Sequence, residues 1–230
     1  MFNKIKSANV KRTQFDNTEK FRQLRTNIEY SSFNKDIQVV SVTGSIPNEG
    51  KSTVATNLAK VSVAKYDKVL LVDCDLRKPS QHKLFKVSNK TGLSNLVKNQ
   101  KSINIDDQDY FKKVKDADGG VLYLLTSGQA IPNPQELLSS DKFKQLIMEL
   151  RNYFDYIVLD CPPLNAVADA IPVANVADGT VFVVSAKDTD KRESKQALTM
   201  LKRGGANVLG AVLNKVDTTS STYYSYDYYK

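Results

Sequence analysis

What this sequence is short of narrows its class early. No apolar run approaches the roughly 18 residues that a bilayer-spanning helix needs, so no segment reads as a transmembrane span. Met1 to Arg12 carries lysines without an apolar stretch, and so does not read as a secretory signal. Only two cysteines occur in 230 residues, Cys74 and Cys161. That is too few for a disulfide framework; each directly follows an aspartate, and both read as reduced thiols of a cytoplasmic protein. There is no C-x-x-C pair, no zinc-finger spacing and no RNP-like aromatic strand, so nucleic acid is not an expected partner. No internal repeat is visible.

What is present is the composition of a soluble α/β domain, 41% hydrophobic and 25% charged. The length suits one such domain, and two compact ones would be cramped. The net charge is +8. Residues 1–35 hold eight Lys/Arg against three Asp/Glu, so five of the excess positive charges lie there. Such a segment reads either as a solvated arm or as one drawn to an anionic surface.

Short β-branched runs alternate with helical patterns. Strands are expected at Ile37–Thr43, Val69–Asp73, Val121–Thr126, Tyr156–Asp160, Thr180–Ser185 and Val208–Asn214. Helices are expected near 18–30, 51–65, 134–151, 166–176 and 191–203. This predicts a mostly parallel central sheet with helices on both faces and ligands at the carboxyl ends of the strands. Asn133-Pro134-Gln135-Glu136 reads as a helix start with Asn as N-cap. Residues 99–120, polar and aperiodic, read as a surface loop or irregular helix. The domain is expected over 18–217, between a basic arm at 1–17 and a tail at 218–230.

Ser45-Ile46-Pro47-Asn48-Glu49-Gly50-Lys51-Ser52 follows an apolar strand and opens a helix, the setting of a phosphate-binding loop. Lys51 would reach the β- and γ-phosphates, Ser52 would ligate Mg²⁺ and Thr53 would lie near the α-phosphate. The loop departs from strict G-x-x-x-x-G-K-[ST], because Ser45 replaces the first Gly and Gly44 stands one place early. Two further apolar runs end in acids. Leu70-Leu71-Val72-Asp73-Cys74-Asp75 delivers two carboxylates, and Tyr156-Ile157-Val158-Leu159-Asp160 delivers a third. Mg²⁺ takes oxygen ligands of this kind, with phosphates and waters completing its shell.

Together these segments resemble the Walker A, A′ and B motifs of the bacterial tyrosine kinases that accompany capsule and exopolysaccharide synthesis. These are P-loop NTPases of the deviant-Walker type. Phe21-Arg22-x-Leu24-Arg25-Thr26-Asn27 and Pro132-Asn133-Pro134-x-Glu136-Leu137-Leu138 fit that family, and the similarity runs over roughly residues 17–230. The H-R-D and D-F-G sets of eukaryotic kinases are absent. The resemblance implies an ATP- and Mg-dependent protein-tyrosine kinase. Asp73 would be the acid nearest the incoming tyrosine and its proton acceptor. Asp75 and Asp160 would hold Mg²⁺ with Ser52, and Lys51 would neutralise the transferring phosphoryl group. Ser45, Pro47, Asn48, Glu49, Gly50 and Thr53 complete the nucleotide loop. Asn214 would line the adenine pocket. Arg77 reads equally as a charge stabiliser or a structural salt bridge.

Five of the last eight residues are tyrosine: Tyr223, Tyr224, Tyr226, Tyr228 and Tyr229. With a nucleotide site present they read as autophosphorylation sites, reached in trans; without one they would be only an aromatic tail end. Glu19, Arg22 and Arg25 share a helix face that by itself reads as solvated. In the family, E-x-x-R-x-x-R forms ring-shaped homo-oligomers. The resemblance also implies a separate membrane activator protein, a tyrosine phosphatase and other protein substrates. The expected location is cytoplasmic, at the inner face of the membrane through the partner. The rival reading is a positioning or partition ATPase. It lacks support in two features: there is no lysine between Ser45 and Glu49, and the chain ends in tyrosines rather than an amphipathic helix.

Overall fold

The structure, a computed structural model, describes residues 9–31, 36–99, 102–115 and 120–217; the side chains of 9–16 and 115 are not included. The tyrosine cluster lies outside the described residues. The strands are β1 (Val39–Gly44), β2 (Val69–Asp73), β3 (Phe111–Lys115), β4 (Val121–Leu125), β5 (Tyr156–Asp160), β6 (Gly179–Ser185) and β7 (Val208–Asn214). The helices are α1 (Asn9–Tyr30), α2 (Lys51–Ser62), α3 (Gln81–Leu84), α4 (Leu93–Asn99), α5 (Pro134–Leu138), α6 (Asp141–Leu150), α7 (Ala170–Val176) and α8 (Lys191–Arg203). The strands form one sheet in the order β3-β4-β2-β5-β1-β6-β7. All pairs are parallel except β3 with β4.

Strand alternation sorts the core into two layers. Val69 and Leu71 of β2 and Tyr156 and Val158 of β5 join Val54, Ala55 and Leu58 of α2. Leu70, Val72 and Cys74, with Ile157, Leu159 and Cys161, face the other way onto Phe143 and Ile147 of α6. Phe21, Leu24 and Ile28 of α1 form the expected apolar stripe and pack against the α2 layer. Burial of apolar surface on both sheet faces is the dominant favourable contribution to folding.

The expected elements are present, with differences in detail: α3 and α4 lie beyond the expected set, and α7 begins at Ala170 rather than near residue 166. The helix expected from residue 18 begins at Asn9. The helix expected over 134–151 is interrupted at Ser139 and Ser140, where the Ser140 hydroxyl accepts from the Phe143 amide at 3.2 Å and starts α6 anew. Asn133 makes no side-chain cap bond to the backbone; its amide lies 3.4 Å from the Glu136 carboxylate instead. Residues 99–120 are not simply a loop or irregular helix, since β3 pairs antiparallel along β4. Its sequence, Phe-Lys-Lys-Val-Lys, suits an outer strand, where lysines discourage further pairing but hide the apolar alternation that a buried strand shows.

At the amino-terminal edge of the sheet, Asp178 accepts the Val39 and Gln38 amides at 2.7 and 3.0 Å and a two-pronged contact from Arg151 at 2.9 Å. Burial opposes ionisation of Asp178, but the Arg151 guanidinium and the two amides prevail and hold it below the ordinary carboxylate value. Asp178→Ala leaves these donors unmatched and is expected to cost about 2–3 kcal/mol, or roughly 4–12 °C in melting temperature. Because the folded-state value is depressed, this stabilisation is full above the unfolded value of about 3.9 and is lost as pH falls through the folded one. Melting curves of wild type and variant should therefore differ at neutral pH and converge only in strong acid.

Candidate active site

The loop between β1 and α2 owes its shape to a buried carboxylate. Glu49 accepts from the Ser45 hydroxyl at 2.6 Å, the Ile46 amide at 3.0 Å and the Thr189 hydroxyl at 2.7 Å. A Cβ on Gly44 would stand 2.2 Å from the Glu49 carboxylate and 2.7 Å from the Val183 carbonyl. The glycine that stands one place early is thus the one the loop needs. Gly50, at φ +94°, turns the chain into α2, and the Asn214 amide donates to the adjacent Glu49 carbonyl at 2.8 Å. Ser45, Glu49 and Asn214 therefore brace the loop with their side chains.

Pro47, Asn48, Gly50, Lys51, Ser52 and Thr53 line a cleft of about 530 Å³. Lys51 is folded back, donating to the Ile46 carbonyl at 2.5 Å with the Glu49 carboxylate 3.7 Å away. Burial pulls its ammonium below the ordinary lysine value, while Glu49, Asp160 and Asp75 pull the other way. An anion entering the cleft would give this cation a stronger partner than a carbonyl.

The three acids occupy different positions. Asp75 lines the cleft and accepts the Lys78 and Arg77 amides at 2.9 and 3.2 Å. Asp73 is buried, accepting the Ser80 and Gln81 amides on one oxygen at 3.0 Å and the Asp75 amide on the other at 3.2 Å. It thereby anchors the loop 75–80 and the start of α3. Asp160 stands beside Asp73 in register. Its Oδ2 accepts from Gln81 at 2.7 Å, Ser52 is in hydrogen-bonding reach, and Oδ1 is buried with no partner. Burial and the neighbouring Asp160 hold Asp73 well above the usual carboxylate range, and burial pushes Asp160 up to about 6.

Among the described residues no group of three or more His, Cys, Asp or Glu is placed to hold a metal ion. A buried carboxylate with one bare oxygen and a serine hydroxyl within reach suits a cation such as Mg²⁺, which takes few protein ligands when phosphates and waters supply the rest. Arg77 bonds Asp169 by Nε at 2.6 Å and Nη2 at 3.2 Å, and it also lines the cleft. Sequence reasoning overlooked Gln81. An amide in a turn carries no signal of its own, and its role depends on contacts with residues 25 and 79 positions away.

The AAA domain family matches residues 37–192. Tyrosine-protein kinase YwqD of Bacillus subtilis is 39% identical, over 91% of this chain and 86% of its own length. The chain belongs to the bacterial tyrosine-kinase family. The solved kinase domain of Escherichia coli tyrosine kinase ETK is 33% identical, with TM-score 0.79 over 92% of this chain and 80% of that one. The septum site-determining protein MinD of Pyrococcus horikoshii is 21% identical at TM-score 0.57, covers 76% of this chain and 69% of that one, and shares the fold alone.

On this family's kinase framework, the three helix residues of the E-x-x-R-x-x-R pattern differ in setting. Glu19 is exposed and the half-exposed Arg22 lies 3.3 Å from it, whereas Arg25 donates to the Val61 carbonyl at 2.7 Å and fastens α1 to α2. No helix among the described residues is long and apolar enough to cross a membrane.

Gly50→Ala would place a methyl group 2.0 Å from the Asn214 amide at a backbone angle that side chains resist. We expect it to weaken ATP binding at least about tenfold, the equivalent of 1.4 kcal/mol. Titration with a fluorescent ATP analogue checks this, with a near-normal melting temperature showing that the fold survives.

Proposed function

We propose that the chain is an ATP- and Mg-dependent protein-tyrosine kinase that phosphorylates Tyr223, Tyr224, Tyr226, Tyr228 and Tyr229 of a second copy, and so regulates capsular or exopolysaccharide synthesis and export. One observation carries the reading: Lys51, Ser52 and Asp75 line a single cleft, and the buried Asp160 carboxylate, one oxygen of which has no partner, lies within hydrogen-bonding reach of Ser52. Membership of a tyrosine-kinase family and a tyrosine cluster in the same chain supply the reaction and the acceptor.

Phosphoryl transfer is largely positioning and charge neutralisation. The loop amides and the start of α2 cradle the phosphates, and Lys51 leaves the Ile46 carbonyl for the transferring group. Ser52 and Asp160, with Asp75, would hold Mg²⁺, whose contribution when bound is to neutralise charge on the phosphate oxygens. A phenol of pKa about 10 needs a proton acceptor near neutrality. Asp73, with its raised affinity for a proton, is assigned that role. Its burial requires the loop 75–80 to yield as the acceptor enters; Asp75 already stands at the cleft wall. Asn214 acts on the nucleotide through the loop it braces.

Thr218 to Lys230 extended reaches up to ~40 Å at about 3.3 Å per residue, enough to cross to a neighbour. Glu19 and Arg22 of α1, together with Arg25, would form the contact of a ring-like homo-oligomer. Each phosphotyrosine adds about −1.5 to −2 charges, so five add on the order of −8 to −10, and the ring then dissociates. A separate membrane protein would activate the kinase and hold it at the inner membrane face, a tyrosine phosphatase would reset it, and other proteins would also serve as substrates.

The test is incubation of the purified chain with ATP and Mg²⁺, with and without a candidate activator peptide, followed by mass spectrometry. Phosphate is expected on residues 223–229, absent in Lys51→Met, and reduced about 10²- to 10⁴-fold in Asp73→Asn with ADP binding retained. ATP hydrolysis with unmodified tyrosines would instead favour a positioning ATPase. Gel filtration should show a smaller particle after phosphorylation; an unchanged size at full occupancy sinks the assembly switch.

A further inference from the structure

Gln81 reaches all three motifs of the site, two through its side chain and the third through its backbone amide. Its carboxamide is buried, and its Oε1 accepts from the Thr56 hydroxyl of α2 at 2.8 Å. The Asp160 carboxylate and the Ser52 carbonyl, which only accept, settle which way the amide faces: its NH₂ end must serve them, and its oxygen is left for the Thr56 hydroxyl. The NH₂ then donates to Asp160 Oδ2 at 2.7 Å and to the Ser52 carbonyl at 3.2 Å, while the Gln81 backbone amide donates to Asp73 Oδ2 at 3.0 Å. The result is an asymmetric carboxylate. One oxygen of Asp160 is held by Gln81, and the other is buried with no partner.

We infer that Gln81 is a positioning residue for the nucleotide-bound cation, holding Asp160 by Oδ2 so that a single oxygen, Oδ1, stays free of any protein partner. The inference rests on the Mg·ATP reading above. Neighbouring side chains make poor substitutes. Glutamate would set a second carboxylate against Asp160, asparagine is one methylene short, and leucine fills the space without any of the three hydrogen bonds. Groups that orient a metal ligand from behind typically change metal affinity 10- to 100-fold when removed. Thr56 belongs to the same device, since it acts only through the amide of Gln81.

The experiment measures binding of a fluorescent ADP analogue to the full chain in excess Mg²⁺ and in EDTA. Wild type is expected to bind more tightly with Mg²⁺. Gln81→Leu should lose 10- to 100-fold in the Mg²⁺ arm and stay within about twofold in EDTA, with a raised Mg²⁺ requirement for turnover. Thr56→Val should move the same way by a smaller factor, and Thr56→Ser, which keeps the hydroxyl, should restore wild-type behaviour. The two Thr56 variants carry the test if Gln81→Leu does not fold. An intact Mg²⁺ enhancement in folded Gln81→Leu, or in Thr56→Val where Gln81→Leu does not fold, overturns the proposal. So does an equal loss in both arms, which marks a merely structural role. A wild-type chain that binds no nucleotide in either arm sinks the kinase reading itself.

Discussion

The site depends on one constraint: two aspartates, Asp73 and Asp160, end adjacent parallel strands in the same register. Register and alternation together decide what surrounds them. Asp73 has the parity of Val69 and Leu71, and Asp160 that of Tyr156 and Val158, so both acids point toward the α2 side of the sheet. Cys74 and Cys161, one residue further on, fall on the opposite face and pack into the other core layer. A one-residue slip of either strand would exchange a carboxylate for a thiol at the phosphate loop.

Two carboxylates so close, and so buried, are costly unless hydrogen bonds or a cation compensate them. The chain compensates them unequally. Asp73 receives three backbone amides and so becomes the anchor of the loop 75–80. Asp160 receives one side-chain amide on one oxygen and keeps the other bare. The stored asymmetry is a preference for a cation at Asp160 and for a fixed loop at Asp73. A third acid, Glu49, is compensated fully by Ser45, Ile46 and Thr189, and serves the shape of the phosphate loop.

Much of this was legible before any fold was known. Parallel strands read as short apolar runs, and the six of them named from the sequence stand in the sheet, with the outer β7 left partly exposed. The lysine, the serine and the three aspartates were legible because they follow such runs, where α/β sheets gather their ligands. The outer strand β3 was not legible. Its lysines, selected for an edge, mask the alternation that marks a strand. The break between α5 and α6 also escaped notice, since Ser139 and Ser140 lie inside an otherwise continuous helical pattern.

The sequence by itself determined the class of fold, the phosphate loop and the family to which the chain belongs, because these rest on local runs of residues and their spacing. Tertiary structure alone decided the separate situations of three similar acids, the pairing of Arg77 with Asp169, the bracing role of Asn214 and the part played by Gln81. The physical reason is range. Each of those depends on hydrogen bonds between residues far apart in the chain, such as Gln81 with Asp160 or Asn214 with Glu49, and on burial, which no local pattern encodes.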